Sequence, residues 1–97
     1  MLVRLEFGSA YYDIIDVPES LIDWYKENRI EFYDRLYNWL ENQNDKYYYN
    51  DMYHYHREAV IEWLNDDLLN SDNEKAVLVE ADKLNDPNDD YLEVMNF

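Results

Sequence analysis

Residues 19–43, "ESLIDWYKENRIEFYDRLYNWLENQ", separate apolar from acidic side chains with the period of an α-helix. At 100° per residue, the apolar positions fall within an arc of about 120°. These positions are Leu21, Ile22, Tyr25, Phe32, Tyr33, Leu36, Trp39 and Leu40. The spacing therefore predicts one long amphipathic helix whose apolar side is buried against the rest of the domain.

The chain before this helix has the pattern of a β-hairpin. Residues 2–7, "LVRLEF", alternate in polarity, which directs Val3, Leu5 and Phe7 to one side. Gly8 begins a predicted turn, and residues 11–17 contain enough β-branched and aromatic side chains to form the returning strand. Pro18 then suits the first turn of the long helix.

The chain after this helix predicts a second helix and two more strands. The second helix has its N-cap at Asn50 or Asp51 and ends near Leu69. Its inward positions are Tyr53, Val60, Ile61, Leu64 and Leu68. Residues 70–74 are a polar break, residues 76–81 and 91–97 have strand patterns, and residues 86–89 have turn chemistry.

The predicted element order is therefore ββααββ. A chain of 97 residues has room for one modest core, so residues 1–97 are expected to form a single domain. An antiparallel β-sheet covered on one face by two amphipathic helices buries the apolar side of every element. The predicted fold class is α+β.

The charge of the chain restricts its partners. Asp and Glu number 23 against 8 Lys and Arg, so the formal net charge is −15. A field of this sign repels nucleic-acid phosphates and anionic lipid head groups, so we expect no direct nucleic-acid or membrane binding. A basic protein is the expected partner. The N-terminal stretch "MLVRLEFGSA" carries acid where a signal peptide needs an apolar core, which predicts a cytoplasmic protein.

The sequence offers no recognisable catalytic or metal-binding motif. Gly8 is the only glycine, which excludes a P-loop and a dinucleotide-binding fingerprint, and there is no cysteine. Two residues apart on a helix, His54 and His56 project in nearly opposite directions and cannot share an ion. The acidic segment 82–90 lacks the central glycine of an EF-hand loop. We therefore predict a protein that is not an enzyme and takes no cofactor or metal.

Acidic side chains on the predicted helices form two stripes. The first contains five carboxylates within about 80° of one another, opposite the apolar arc. These are Asp23, Glu27, Glu31, Asp34 and Glu41, and the second stripe contains Asp51, Glu58, Glu62 and Asp66. Like charges four residues apart destabilise a helix by roughly 0.2–0.5 kcal/mol per pair. A single sign accumulated at this cost indicates a surface that binds a positively charged partner.

Tyrosines crowd the stretch 41–58, "ENQNDKYYYNDMYHYHRE". Tyrosine is enriched at protein interfaces, and arginine packs well on its ring. Tyr47, Tyr48 and Tyr55 therefore join the predicted partner-binding residues, while Tyr49 and Tyr53 are also candidates for the core. No helix or strand can direct all of these neighbouring rings inward, so some of them are expected to be exposed.

A small, strongly acidic, cysteine-free and aromatic-rich domain with stripes such as "DWYKENRIEFYD" resembles the phage-encoded DNA-mimic inhibitors. This class includes uracil-DNA glycosylase inhibitors, antirestriction proteins and several anti-CRISPR proteins. The resemblance is one of charge, size and pattern, and it transfers no individual residues. It implies an inhibitor that occupies the nucleic-acid groove of a host defence enzyme. An anti-CRISPR protein acting on a Cas nuclease is favoured over an inhibitor of a restriction or DNA-repair enzyme.

A second hypothesis needs no mimicry. An acidic interaction module, such as an antitoxin or an assembly adaptor, would bind its partner through the tyrosine-rich surface. Self-association through an exposed strand edge, giving a homodimer, is a further hypothesis.

Overall fold

A computed structural model describes residues 1–69 and 74–97 and confirms the α+β class. Residues 70–73, most of the predicted polar break, lie outside the described residues. The strands are β1 (Leu2–Glu6), β2 (Tyr11–Asp16), β3 (Tyr48–Tyr49), β4 (Met52–Tyr53), β5 (Val77–Leu84) and β6 (Glu93–Asn96). The helices are α1 (Glu19–Glu27), α2 (Arg29–Glu41) and α3 (Arg57–Trp63), so the order ββααββ is matched only roughly.

Four strands form the main sheet in the order β5-β2-β1-β6. The predicted hairpin is present: β1 and β2 pair antiparallel, and the turn uses Gly8 at a φ of 78°. The prediction of a purely antiparallel sheet is wrong, because β6 lies parallel to β1. Since β5 and β6 run parallel at opposite edges, residues 85–92 cannot form a hairpin and instead cross the outer face of the sheet.

The inner face of the sheet and the helices enclose the core. Val3, Leu5 and Ile15 are fully buried, as the alternation predicted for the hairpin requires. They face a cluster of aromatic rings in which Phe32 of α2 meets Trp63 of α3 edge to face, with centroids 4.9 Å apart. The apolar arc is confirmed. Leu21, Ile22, Tyr25, Phe32, Leu36 and Leu40 are buried, and Tyr33 and Trp39 are partly buried.

The predicted long helix is interrupted at Asn28. This residue has φ −132° and ψ 44°, and its side-chain amide donates to the Trp24 carbonyl to close α1. Its own carbonyl accepts from the Phe32 N–H and begins α2. Leu21 and Ile22 before the break and Phe32 and Leu36 after it are buried in the same core cluster, so both halves pack against the sheet.

The predicted start of the second helix is also wrong. Asn50 and Asp51 have φ values of 52° and 63°, which places them in the tight turn of the β3–β4 hairpin. Tyr53 therefore lies in β4, and the helix begins only at Arg57. It continues as a π-helical turn, Leu64–Leu68. Val60 and Leu64 are buried as predicted, while Ile61 and Leu68 are partly buried.

The two outer strands of the sheet differ in length. β6 has four residues, whereas β5 has eight, and the pairing of β5 with β2 shifts register twice around Ile14. A bulge can protect an edge strand from pairing with other chains, but Val77, Leu78 and Val79 of β5 are exposed. Self-association through a strand edge stays a prediction.

No helix in the described ranges is both long enough and apolar enough to cross a bilayer.

Residues 85–92, which we call the crossover, are attached to the outer face of the sheet by a small polar network. Asp89 accepts hydrogen bonds from the Tyr12 hydroxyl and the Lys83 ammonium, and it is almost entirely buried. The adjacent ammonium of Lys83, followed by the Tyr12 hydroxyl, lowers the pKa of Asp89.

Replacing Phe32 with alanine tests the helix-to-sheet core. The F32A variant should lose about 3–5 kcal/mol of unfolding free energy, because a fully buried ring is removed. I30A, two residues away on the exposed side of α2, is the control and should change stability by less than about 0.5 kcal/mol. Urea denaturation followed by circular dichroism measures both. Equal losses would contradict the orientation of α2.

The Asp89 network predicts a specific acid sensitivity. Because the pKa of Asp89 is lower in the folded state, its stabilisation is present above the unfolded value of about 3.9 and disappears as the pH falls through the folded pKa. The D89N variant should be less stable at pH 7, and its difference from the parent should shrink on acidification. Parallel urea titrations from pH 7 to pH 2 measure this, and a constant difference would contradict it.

Candidate partner-binding site

The first predicted stripe forms a continuous exposed surface, which we call the acidic face: Asp23, Glu27, Glu31, Asp34 and Glu41. Glu27, Glu31 and Asp34 line one shallow concavity of about 550 Å³ where α1 meets α2. Asp23 lies one turn before Glu27, and Glu41 lies two turns after Asp34. The break at Asn28 therefore bends the stripe without dispersing it.

The acidic face is not neutralised by the chain's own cations. Lys26 and Arg35 are its neighbours in sequence, but the Lys26 ammonium pairs with Glu93 of β6. The Arg35 guanidinium donates two hydrogen bonds to Asp67, at 2.8 and 3.1 Å. Among the described residues, every ion pair within 4.0 Å involves carboxylates outside the acidic face. Five negative charges thus remain available to a partner.

Two other side chains modify this surface. Arg29 lines the same concavity, with its guanidinium 5.4 Å from the Tyr25 ring, so the charge there is not entirely negative. Ile30 also lines it and is 82% exposed. Ile30 was not among the predicted partner-binding residues, although at 100° per residue it lies about 20° from Asp23 and Glu41, at the edge of the acidic stripe. An apolar side chain beside a charged stripe is a signal that the helical wheel contained.

The second predicted stripe loses one member in the structure. Asp51 is exposed in the hairpin turn rather than on a helix. Glu58, Glu62 and Asp66 are exposed four residues apart on α3 and its π-helical turn, but each also has an internal contact. Glu62 accepts the Tyr47 hydroxyl and lies 3.8 Å from the Lys46 ammonium, Asp66 accepts the Trp39 indole N–H at 2.7 Å, and Glu58 lies 3.4 Å from the Arg57 guanidinium. They therefore differ from the acidic face, whose carboxylates form no such contacts.

The three selected tyrosines have different environments. Tyr47 is partly buried and stacks on Trp39, with ring centroids 6.1 Å apart. Tyr55 packs edge-on against Phe7 and Phe97, and burial raises the pKa of its hydroxyl. Tyr48 is exposed on the β3–β4 hairpin.

The exposed aromatic surface is larger than the predicted one. Tyr37 on α2 and Tyr49 and Met52 on the β3–β4 hairpin are also exposed. Tyr37 lies against Tyr53 and Tyr55, which joins α2 to the hairpin. We call the exposed residues Tyr37 and Tyr48, which both contact Tyr53, the aromatic patch. Tyr49 and Met52 pair with each other on the opposite face of the hairpin. The density of tyrosine in the sequence indicated this patch, but the membership of Tyr37 depends on how α2 packs.

In residues 1–69 and 74–97, no three acidic or histidine side chains converge as a metal ion would require.

Comparison of the chain with protein-family models, with curated proteins and with solved structures finds no match.

Removing charges tests whether the carboxylates of the acidic face stabilise the fold, as the carboxylate of Asp67 does. The E27Q/E31Q variant should keep or slightly increase the unfolding free energy, because it relieves like-charge repulsion and breaks no ion pair. The D67N variant, the control, should lose about 1–2 kcal/mol because it weakens the bonds from Arg35 and Trp63. Urea denaturation at low ionic strength measures both. A large loss in E27Q/E31Q would assign these residues a structural role.

Proposed function

We propose that this protein is a stoichiometric inhibitor that occupies the nucleic-acid groove of a host defence enzyme, where its acidic face takes the place of phosphates. The observation that carries the proposal is the set of five exposed carboxylates on α1 and α2, none of which forms an ion pair within 4.0 Å among the described residues. Lys26 and Arg35 pair with other carboxylates, so this surface stays acidic although Arg29 lies within it.

The charges of the acidic face are spaced more widely than the phosphates of a nucleic acid. Residues four apart on a helix rise by about 6 Å, whereas duplex DNA carries one charge per ~1.7 Å of axis. The acidic face is therefore sparser than DNA, and flexible lysine and arginine side chains can adapt to the difference. A groove that releases counterions on binding DNA would gain similarly from this face.

Ile30 and the concavity around it favour a protein as the partner. An exposed apolar side chain contributes to binding only where a complementary surface covers it. The target we favour is a CRISPR effector nuclease, followed by a restriction enzyme or a DNA-repair enzyme. The protein would then be phage-encoded and act in the cytoplasm of the host cell, as the resemblance to DNA-mimic inhibitors implies.

Competition with DNA tests the proposal. The protein is immobilised, proteins retained from a host lysate are eluted with a salt gradient, and the retained protein is then titrated with duplex DNA. DNA and this protein should exclude each other, and affinity should fall steeply with salt.

Two charge-matched variants make the test specific. In D23N/E27Q/E31Q/D34N, binding should weaken progressively with each substitution, and its salt dependence should become shallower. The control D16N/E80Q/D86N/D90N removes the same charge from the sheet side. It also breaks the ion pairs of these residues with Met1, Lys83 and Arg4, so urea denaturation first shows that it is folded, and it should then bind nearly as the parent does. Simultaneous binding of DNA and this protein, or equal losses in both variants, would contradict the proposal.

The aromatic patch supports a second candidate function, that of an acidic antitoxin or assembly adaptor without mimicry. Two tyrosines, Tyr37 on α2 and Tyr48 on the hairpin, are exposed around Tyr53, and tyrosine is enriched at protein interfaces. In that case Y37A/Y48A should abolish binding while the acidic-face variant binds normally. The proposed inhibitor requires the opposite result.

A further inference from the structure

Arg29 differs from the other arginines of the chain. Arg4, Arg35 and Arg57 each lie within 4.0 Å of at least one carboxylate. Among the described residues, Arg29 has no carboxylate at that distance. It is exposed at the first position of α2, and its guanidinium lies 5.4 Å from the Tyr25 ring. Its charge is therefore available to an anion from outside the molecule.

This unpaired cation lies within the acidic face. Glu27, Glu31 and Asp34 line the same concavity of about 550 Å³ as Arg29. A positive charge at this position opposes the attraction of the face to a uniformly basic groove. Arg29 therefore favours binding only where the partner places a negative group opposite it.

A carboxylate of a protein suits Arg29 better than a nucleic-acid phosphate does. A guanidinium donates two parallel hydrogen bonds to either group. A nucleic acid, however, would bring a row of further negative charges towards Glu27 and Glu31. A carboxylate in an otherwise basic groove brings a single negative charge, and the cations beside it attract the acidic face.

We propose that Arg29 pairs with the carboxylates that hold a divalent metal ion in the active site of the partner. This inference rests on the proposed function. Enzymes that cleave nucleic acids hold Mg²⁺ with carboxylates next to the phosphate that reacts. In the complex, the acidic face would take the place of phosphates and the Arg29 guanidinium would take the place of the metal ion. Both signs of charge on the face would then have a partner.

Removing the charge of Arg29 tests the proposal, because two interpretations predict opposite signs. If Arg29 merely offsets neighbouring carboxylates, the R29A variant should bind a basic partner more tightly. The proposal instead predicts that R29A binds at least about fivefold more weakly, because ionic hydrogen bonds are lost. R29K should retain part of the affinity, since an ammonium keeps the charge but not the paired bonds. Isothermal titration calorimetry with the purified partner from the competition assay measures all three variants.

The K46A variant is the matched control, because it removes one positive charge outside the concavity. Lys46 is exposed and lies 3.8 Å from Glu62. K46A should bind the partner at least as tightly as the parent does. Urea denaturation should show that R29A and K46A are both folded, since both side chains are exposed. A weakening of equal size in the two variants would overturn the proposal.

The metal ion supplies a second measurement. Mg²⁺ occupies the carboxylates that Arg29 would contact, so the ratio of the R29A Kd to the parent Kd should fall towards one as MgCl₂ replaces NaCl at constant ionic strength. General binding of Mg²⁺ to the acidic face affects both proteins alike and leaves this ratio unchanged. A constant ratio, or R29A that binds as tightly as the parent, would overturn the proposal. Retention of duplex DNA by the parent but not by R29A, without the partner, would identify a phosphate site instead and also overturn it.

The variants separate this inference from the proposed function. If D23N/E27Q/E31Q/D34N loses the partner while R29A binds it more tightly, this inference fails and the proposed function stands. If DNA does not compete with this protein for the partner, the proposed function fails. An effect of R29A would then belong to an ion pair in another interface, and the assignment to a metal site would fail as well.

Discussion

The chain has eight cationic side chains for 23 carboxylates, and this scarcity of cations determines which carboxylates are paired and which stay charged. Several of the cations join elements that are distant in the chain. Arg57 connects α3 to β2 and β5, Lys83 connects β5 to the crossover, and Arg35 connects α2 to the π-helical turn after α3. Cross-links between elements hold the fold against the repulsion of a chain with a net charge of −15.

The same scarcity explains why one surface stays charged. A cation used between elements cannot also neutralise a neighbouring carboxylate on its own helix. Lys26 lies beside Glu27 in the sequence, yet its ammonium pairs with Glu93 of β6. The acidic face thus consists of carboxylates that the internal ion pairs leave unpaired. Repulsion among them destabilises the isolated protein, and binding to a basic partner would relieve that repulsion.

The acidic face combines two kinds of contact. Its carboxylates offer charge along two helices, which favours fast, salt-dependent association with any strongly basic groove. Ile30 would add specificity that charge alone does not provide, because an apolar side chain contributes to binding only where the partner's surface fits it.

The amphipathic pattern of residues 19–43, the alternation in residues 2–7 and the acidic stripe on the first helical segment could be predicted from the sequence, because each depends on a local period that the backbone imposes. The break at Asn28 could not, since neither proline nor glycine marks it in the sequence. The hairpin at Asn50 and Asp51 escaped prediction because both residues suit a helix cap as well as a tight turn. Asp51 left the second stripe with that hairpin. Three features were decided by the tertiary structure alone: the parallel pairing of β6 with β1, the partner of each cation, and the contacts of Asp13 with Arg57 and Asp82. Each joins residues that are far apart in the chain. In addition, a long cationic side chain has several carboxylates within reach, and only the folded structure selects one.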